Sequence, residues 1–589
     1  MPLLPRRLLA AGLAALVLVG GYPAPAQAAG AAATSAQTTA LEKRRVDRIA
    51  TPKLRWYKCY DWAQCATVRL PLDYDRPYGA TTEVAVLRVK ARKPKKRIGS
   101  LFVNPGGPGG SATTLALLSP LVLSDSLLDR FDIVGVDPRG VGFSENVRCF
   151  SSARAQTVAL RPMLTVPFPV GAKQEKRYVA AAKKLGRACS TTGRPLTGAA
   201  STAQTARDME VLRRAVGDRK LSYLGFSYGS VLGEVYANMF PDRTRAIAID
   251  GVINPTAWTG TDATRNLILD DRLRSADGAY RALREIFRRC DAAGPRYCAA
   301  APHSAAKFGR VAARLRAHPI VIGDFPPFGT LTYTYADFVA ETLGGLYGMG
   351  APADVTSLTG ALWTLTSESA GAAAVAAARR VVAAQPRRRD FLYANDVEAY
   401  STVTCTDARH PANAGNWPAR VAKADKRAPY FGRIWAWSSV QCARDTWTVR
   451  DEDAYRGPFN RRTSATVLVI GSFHDPATAY AGARQTARKM PNSRLLSSDN
   501  WGHTAYGTNA CATHAIDRYL LRRTLPAKGT VCRSPERPFT VPLDDPADKE
   551  LSVRATGTKE EIAAGGLPAP GQPKQLPPIS TGLPGVVVR

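Results

Sequence analysis

Histidine is scarce in this chain, six in 589 residues, so any chemistry that needs an imidazole has few places to find one: His303, His318, His410, His474, His503 and His514. Cysteine occurs ten times, yet never as a Cys-x-x-Cys unit and never clustered with histidine at zinc-ligand spacing, which excludes a zinc site. Acidic side chains are few against basic ones, 48 against 80, leaving a formal net charge of +32. That excess does not describe a nucleic-acid channel. The dense runs Lys90–Arg97 and Arg387–Arg389 are short and lack interleaved aromatics, and the remaining arginines are scattered through Ala-rich helical stretches. A solvated basic surface is expected instead, with loose adhesion to anionic envelope polymers and no nucleic-acid partner. Beyond the N-terminal segment no run is apolar and long enough to cross a bilayer, and no internal repeat is found.

What the chain does have begins at its N-terminus. Arg6 and Arg7 precede the apolar run Leu8–Gly21, and Ala26-Gln27-Ala28 offers small residues for cleavage, so residues 1–28 read as a secretory signal. The paired arginines leave the Sec and twin-arginine routes both open. No cysteine near the cleavage site points to a lipid anchor. Ten cysteines in an exported chain argue for disulfides, and nearest-neighbour pairing predicts Cys59–Cys65, Cys149–Cys189, Cys290–Cys298, Cys405–Cys442 and Cys511–Cys532. Residues 29–52, rich in small residues and then in charge, are expected to be a flexible, poorly packed lead-in. The tail 541–589, rich in Pro and Gly, is expected to be disordered.

Between these ends the pattern alternates. Strand-like runs cover Ala66–Leu72, Glu83–Lys90, Ser100–Asn104, Asp132–Asp137, Leu221–Leu224, Ala246–Asp250, Ala465–Ile470 and Arg494–Ser497. The later ones are continuous β-branched or Leu runs, as in strands buried on both faces of a parallel sheet. Helical patterns such as Thr202–Val216 and Ser230–Phe240 fall between them, which predicts a doubly wound, mostly parallel α/β core over 53–254 and 463–540. Residues 255–462 break the rhythm and read as helices (Asp277–Cys290, Ala305–Ala317, Thr334–Leu346, Ala351–Ala384), a large helical cap inserted over one end of the sheet.

Leu221–Leu224 runs into Gly225-Phe226-Ser227-Tyr228-Gly229, and a helix follows at once. Small residues two before and two after a serine, between strand and helix, form a nucleophile elbow: the turn is too tight for side chains there, and it lifts the Ser227 hydroxyl above the sheet. A serine hydroxyl needs a base to take its proton and a carboxylate to orient that base. In this architecture the acid follows a late strand and the histidine comes after it, which selects Asp475, after Ala465–Ile470, and His503, in Trp501-Gly502-His503-Thr504. His474 would point away if Asp475 points in, and His514 lies on an amphipathic helix as a surface or packing residue. The anionic intermediate needs backbone donors, expected from the N–H of Tyr228 and from Gly107 in the loop Asn104-Pro105-Gly106-Gly107-Pro108-Gly109-Gly110-Ser111. No Lys-Ser/Thr follows those glycines, so this is not a phosphate loop.

With these motifs in order, the chain resembles the secreted tripeptidyl aminopeptidases of the α/β-hydrolase fold, relatives of the proline iminopeptidases. The resemblance runs over roughly Trp56–Cys532. It rests on Phe102–Ser111, Asp137-Pro138-Arg139-Gly140-Val141-Gly142-Phe143-Ser144, Thr205–Arg213, the elbow, Ile249-Asp250-Gly251-Val252-Ile253-Asn254-Pro255, Cys405-Thr406-Asp407, Asp475-Pro476-Ala477-Thr478 and Gly502-His503-Thr504. It implies an exopeptidase that cleaves short peptides from free N-termini through an acyl-enzyme; the Ser-His-Asp mechanism itself needs no metal or organic cofactor, and a monomer is expected. It also implies that acidic side chains from the cap hold the substrate's α-ammonium, with Glu398 and Asp407 as candidates. Thr402-Val403 and His474 depart from the family's usual residues at the edge of the pocket. A carboxylesterase or lipase would use the same elbow and triad, and a binding protein of the envelope would need neither.

Overall fold

A computed structural model of the protein describes residues 36–324, 330–367, 371–383, 395–534 and 537–544; the expected signal segment 1–28, Arg387–Arg389 and residues 545–589 lie outside them. Twelve strands occur among these residues: β1 Tyr57–Tyr60, β2 Ala63–Pro71, β3 Thr81–Val89, β4 Gly99–Asn104, β5 Phe131–Val136, β6 Leu221–Phe226, β7 Thr244–Asp250, β8 Ile320–Asp324, β9 Thr330–Tyr333, β10 Val467–His474, β11 Ser493–Trp501 and β12 Val531–Cys532. Ten of them form one sheet in the order β1-β2-β3-β5-β4-β6-β7-β10-β11-β12. β1, β2 and β3 pair antiparallel, β3 is antiparallel to β5, and from β5 onward every pairing is parallel. This is the doubly wound sheet that the alternating pattern predicts, with β1 and β12 added at its edges.

Every residue of β4, β5 and β6 is buried, because helices cover both faces. The strand period of two then divides the side chains between two cores. Phe102, Val134, Tyr223, Ile247 and Val469 face one side. Leu101, Ile133, Leu224, Ala248 and Ile470 face the other. A third core lies in the cap, around the fully buried indoles of Trp417, Trp437 and Trp447.

That cap is built from two stretches of chain rather than from 255–462 alone. The helices Ala153–Leu164 and Ala172–Thr191, assigned to the sheet domain by the sequence pattern, contribute Leu160, Met163, Tyr178 and Leu185 to the cap core. Their amphipathic period is the same whether they cover a sheet or other helices, so the pattern could not tell the two apart. The insertion itself is not wholly helical: β8 and β9 form a separate antiparallel pair. The expected helix Ala351–Ala384 is two helices, Ala351–Leu365 and Ala372–Ala383.

The N-terminal stretch also departs from expectation. Instead of a loose lead-in, Ala40–Asp47 is a helix capped by Thr39, with Val46 fully buried. Its charges are consumed by partners far away in sequence. Arg207 donates to both oxygens of Glu42 at 2.9 and 2.8 Å, and Arg45 pairs with Glu42, Asp75 and Asp453. At the other end, the Leu543 N–H donates to Arg296 O at 2.9 Å and Phe539 packs on the Cys290–Cys298 loop, so packing reaches past residue 540. The five disulfides join Cys59–Cys65, Cys149–Cys189, Cys290–Cys298, Cys405–Cys442 and Cys511–Cys532. Among the described residues no helix is long and apolar enough to cross a membrane.

One buried ion pair ties the sheet's periphery together. Arg139, after β5, donates to both carboxylate oxygens of Asp208 at 2.7 Å and to the carbonyls of Pro71, Leu72 and Ala199. Tyr74 adds its hydroxyl to Asp208 at 2.8 Å. The guanidinium is fully buried, and it stays ionised because Asp208 is against it. Asp208→Asn strands that charge in the interior. The expected outcome is a loss of about 3–5 kcal/mol in unfolding free energy, read from guanidinium denaturation as a lower midpoint at unchanged slope.

Candidate active site

β6 ends at Phe226, and the helix Tyr228–Met239 begins two residues later. Ser227 makes the whole turn in one residue, at φ 56° and ψ −124°, a region that non-glycine residues occupy only when their surroundings force it. The forcing is visible in the neighbours. A Cβ on Gly225 would strike the carbonyl of Gly229, and one on Gly229 would lie 2.8 Å from the carbonyl of Asn104. The Ser227 N–H donates to Asp250 O at 2.9 Å, locking the turn to β7.

The glycine loop after β4 packs directly on this turn. Gly106, at φ +96°, sits where a Cβ would come within 2.8 Å of Ser227 Cβ and 2.9 Å of Tyr228 N. Its N–H is held by Asn104 Oδ1 at 2.9 Å. The far end of the loop is clamped by Asp137, just past β5: Oδ1 accepts the Thr113 N–H at 2.8 Å and Oδ2 the Phe143 N–H at 2.8 Å. Gly107 lines the cavity in front of Ser227. Tyr228 is buried, its ring 5.4 Å from that of Trp258 and its hydroxyl against Thr202.

Asp475 follows β10 immediately and is buried. The N–H groups of Ala477 and Thr478 donate to its Oδ1, each at 2.8 Å, and Thr478 Oγ1 donates to Oδ2 at 2.7 Å. His503 Nδ1 lies 2.9 Å from the same Oδ2. Nδ1–H facing a carboxylate leaves Nε2 as the free basic nitrogen. Burial on its own lowers the proton affinity of His503, but the adjoining Asp475 charge and hydrogen bond outweigh it and hold its pKa above the usual 6.5. The histidine is also tied to the cap: its N–H donates to Tyr347 O at 2.9 Å, and the Tyr347 ring stands edge-on at 5.3 Å. His474 turns the other way and stacks on Trp501 at 4.0 Å. Ser227, His503, Gly107 and Thr478 line one cavity, roofed by Tyr347, Tyr400 and Trp435 from the cap. Such an arrangement can transfer a proton from a hydroxyl to an imidazole and stabilise the imidazolium that results.

The two carboxylates expected to hold an ammonium group are not cavity residues. Asp407 accepts the N–H of Thr202 at 2.8 Å and Trp258 Nε1–H at 2.9 Å, and Thr202 Oγ1 donates to it as well. It caps a helix and orients the Trp258 indole. Glu398, fully buried, accepts the Cys149 N–H and Gln156 Nε2–H at 3.2 Å each and so ties the two stretches of the cap together. The carboxylate that does line the cavity is Asp270, at the start of the cap and without a signal in the sequence pattern. Its Oδ1 accepts the Ala276 N–H at 3.0 Å and its Oδ2 meets Arg427 Nη2 at 2.6 Å. Burial pushes its pKa up to about 6. Asp250 is a further acidic residue at the site to which the sequence pattern assigned no role.

Comparison with known proteins finds matches on both sides of the cap insertion, each extending into it. A family model described as the alpha/beta hydrolase fold matches residues 99–285, and one described as TAP-like protein matches residues 428–532. A tripeptidyl aminopeptidase of Streptomyces coelicolor is 29% identical over 510 residues, covering 82% of this chain and 87% of that protein. Carboxylesterase B of Mycobacterium tuberculosis is 30% identical over 501 residues, covering 82% and 91%. Serine protease Hip1 of the same organism is 29% identical over 513 residues, covering 82% and 92%.

The electrostatics of His503 can be tested without a substrate. Diethylpyrocarbonate modifies neutral imidazole, so site-resolved modification of His503 followed by mass spectrometry is expected to show an inflection above pH 6.5 in the parent protein. In Asp475→Asn, with the attracting charge gone, the inflection is expected to move to lower pH.

Proposed function

Because the chain belongs to the α/β-hydrolase family, in its TAP-like branch, and is a serine hydrolase, we propose that it is an exported exopeptidase that removes short peptides, tripeptides among them, from free N-termini. In this reading Ser227 Oγ attacks the scissile carbonyl while His503 Nε2 takes its proton. Asp475 stabilises the imidazolium, and the N–H groups of Tyr228 and Gly107 receive the oxyanion. His503 then returns the proton to the leaving amine, and water repeats the sequence on the acyl-enzyme. Export is supported by the signal-like residues 1–28 and by the five disulfides.

The observation that carries the exopeptidase reading is Asp270, a carboxylate in the wall of the cavity that holds Ser227 and His503. An ionised carboxylate offers about four acceptor positions. The Ala276 N–H and Arg427 occupy two of them, and an incoming ammonium group takes another. Ionisation of Asp270 and neutrality of His503 both fail as the pH falls, so activity is lost on the acid side. One observation favours an esterase as a second reading: Ile253, Leu269 and Leu273 give the same cavity apolar walls suited to an acyl chain.

Tripeptide p-nitroanilides with a free amine, their N-acetylated counterparts and p-nitrophenyl esters separate the two, with Ser227→Ala as control. Free-amine anilides are expected to be cleaved far faster than acetylated ones. Asp270→Asn is expected to raise KM for the free-amine substrates by about tenfold or more, the worth of one charged hydrogen bond, and to leave ester turnover nearly unchanged. Equal cleavage of free and acetylated anilides would overturn the exopeptidase reading.

A further inference from the structure

Asp250, the last residue of β7, stands between the two strands that deliver the reacting groups. It pairs in register with Phe226 of β6, next to the nucleophile, and with Ile470 of β10, on the strand that leads to Asp475. Three of its contacts reach the turn of Ser227 and the loop of His503. Its carbonyl accepts the Ser227 N–H at 2.9 Å. Its Oδ2 accepts the N–H groups of Ala505 and Tyr506, each at 2.8 Å, in the loop that carries His503. Gly251 beside it is at φ +65°, and a Cβ there would lie 2.9 Å from His503 Cε1, so this corner of β7 forms the floor under the imidazole. Its Oδ1 is buried and, among the described residues, has no hydrogen-bond partner.

We propose that Asp250 is a positioning residue that holds the nucleophile and the histidine loop in one frame, and whose charge favours the imidazolium formed when His503 takes the serine's proton. This rests on the triad reading given above. Two N–H groups on one oxygen would be served equally by an asparagine carbonyl, so anchoring alone does not require a carboxylate here. The second, unpartnered oxygen is what an asparagine could not reproduce without burying an unpaired amide. The titratable groups that face His503 are Asp475 from beyond β10, Asp250 from β7, and Tyr347 from the cap segment after the helix Tyr335–Leu346. Burial raises Asp250 to about 6, its two backbone donors and His503 oppose that rise, and Asp250 in turn adds to the proton affinity of His503.

The test uses a fluorophosphonate, which phosphonylates an activated serine with loss of fluoride, whatever the natural substrate is. The rate of Ser227 labelling is followed against pH in the full chain and in Asp250→Asn and Asp250→Ala, with thermal unfolding of each. In Asp250→Asn the acid limb is expected to move to lower pH and the plateau rate to fall several-fold. In Asp250→Ala the loop loses its anchor, and labelling is expected to slow about 10²-fold. An Asp250→Asn protein with the parent's pH profile would reduce Asp250 to a loop cap and overturn the proposal. If Asp250→Asn does not fold, Asp250→Ala with added formate or formamide decides the matter: rescue by formate alone is expected, and equal rescue by both overturns the role of the charge. Absence of Ser227 labelling in the parent protein would instead overturn the triad reading and this proposal with it.

Discussion

The site depends on an approach of backbone to backbone that no side chain would permit. At the C-terminal ends of β4 and β6, Gly106 lies against Ser227 and Tyr228, Gly229 lies against Asn104, and Gly225 lies against Gly229. These contacts hold Ser227 in a backbone conformation it would not choose alone, and they hold the glycine loop at the height of its hydroxyl. Everything else keeps this junction from relaxing. Asp137 clamps the loop's far end, and Asp250 clamps the turn to the neighbouring strand. The buried Arg139–Asp208 pair secures the segment beyond β5 to the helix Thr202–Ala215, whose first residue binds Asp407. Backbone strain of this kind persists only where the surroundings over-determine it, and here they do so from three strands.

The sheet was legible because its central strands are buried on both faces and so are written as unbroken apolar runs. The meeting of Ser227, Asp475 and His503 was legible for a different reason: parallel strands present their C-terminal ends at one edge, so order along the chain translates into neighbours in space. What could not be read was the fate of charge. Asp407 and Glu398 looked available, but each is consumed by a partner more than two hundred residues away, Thr202 and Cys149 respectively. The same blindness made the stretch that holds the helix Ala40–Asp47 read as a poorly packed lead-in, since its buried charges are answered by Arg207 and Asp75. Asp270 was invisible on the same grounds, because only the folded cap reveals that it lines the cavity of Ser227 and His503. The helices Ala153–Leu164 and Ala172–Thr191 were assigned to the wrong layer because amphipathic period says that a face is covered without saying by what.

The cap is therefore a second body with its own core, spliced from two stretches of chain and stitched internally by Cys149–Cys189 and Cys405–Cys442. It roofs the cavity with Tyr347, Tyr400 and Trp435, and it lends the cavity a carboxylate from Asp270. The sheet carries Ser227, Asp475 and His503, and the cap closes the cavity over them.

The bond from the His503 N–H to the carbonyl of Tyr347 crosses the boundary between those two bodies, and the Tyr347 ring stands edge-on to the imidazole. At Gly502, with φ +91°, even a methyl group would collide with the cap backbone at Tyr347 and Gly348. Cap and sheet are thus joined at the backbone that carries the histidine. A shift of the cap backbone at Tyr347 and Gly348 would therefore be felt first at the imidazole of His503.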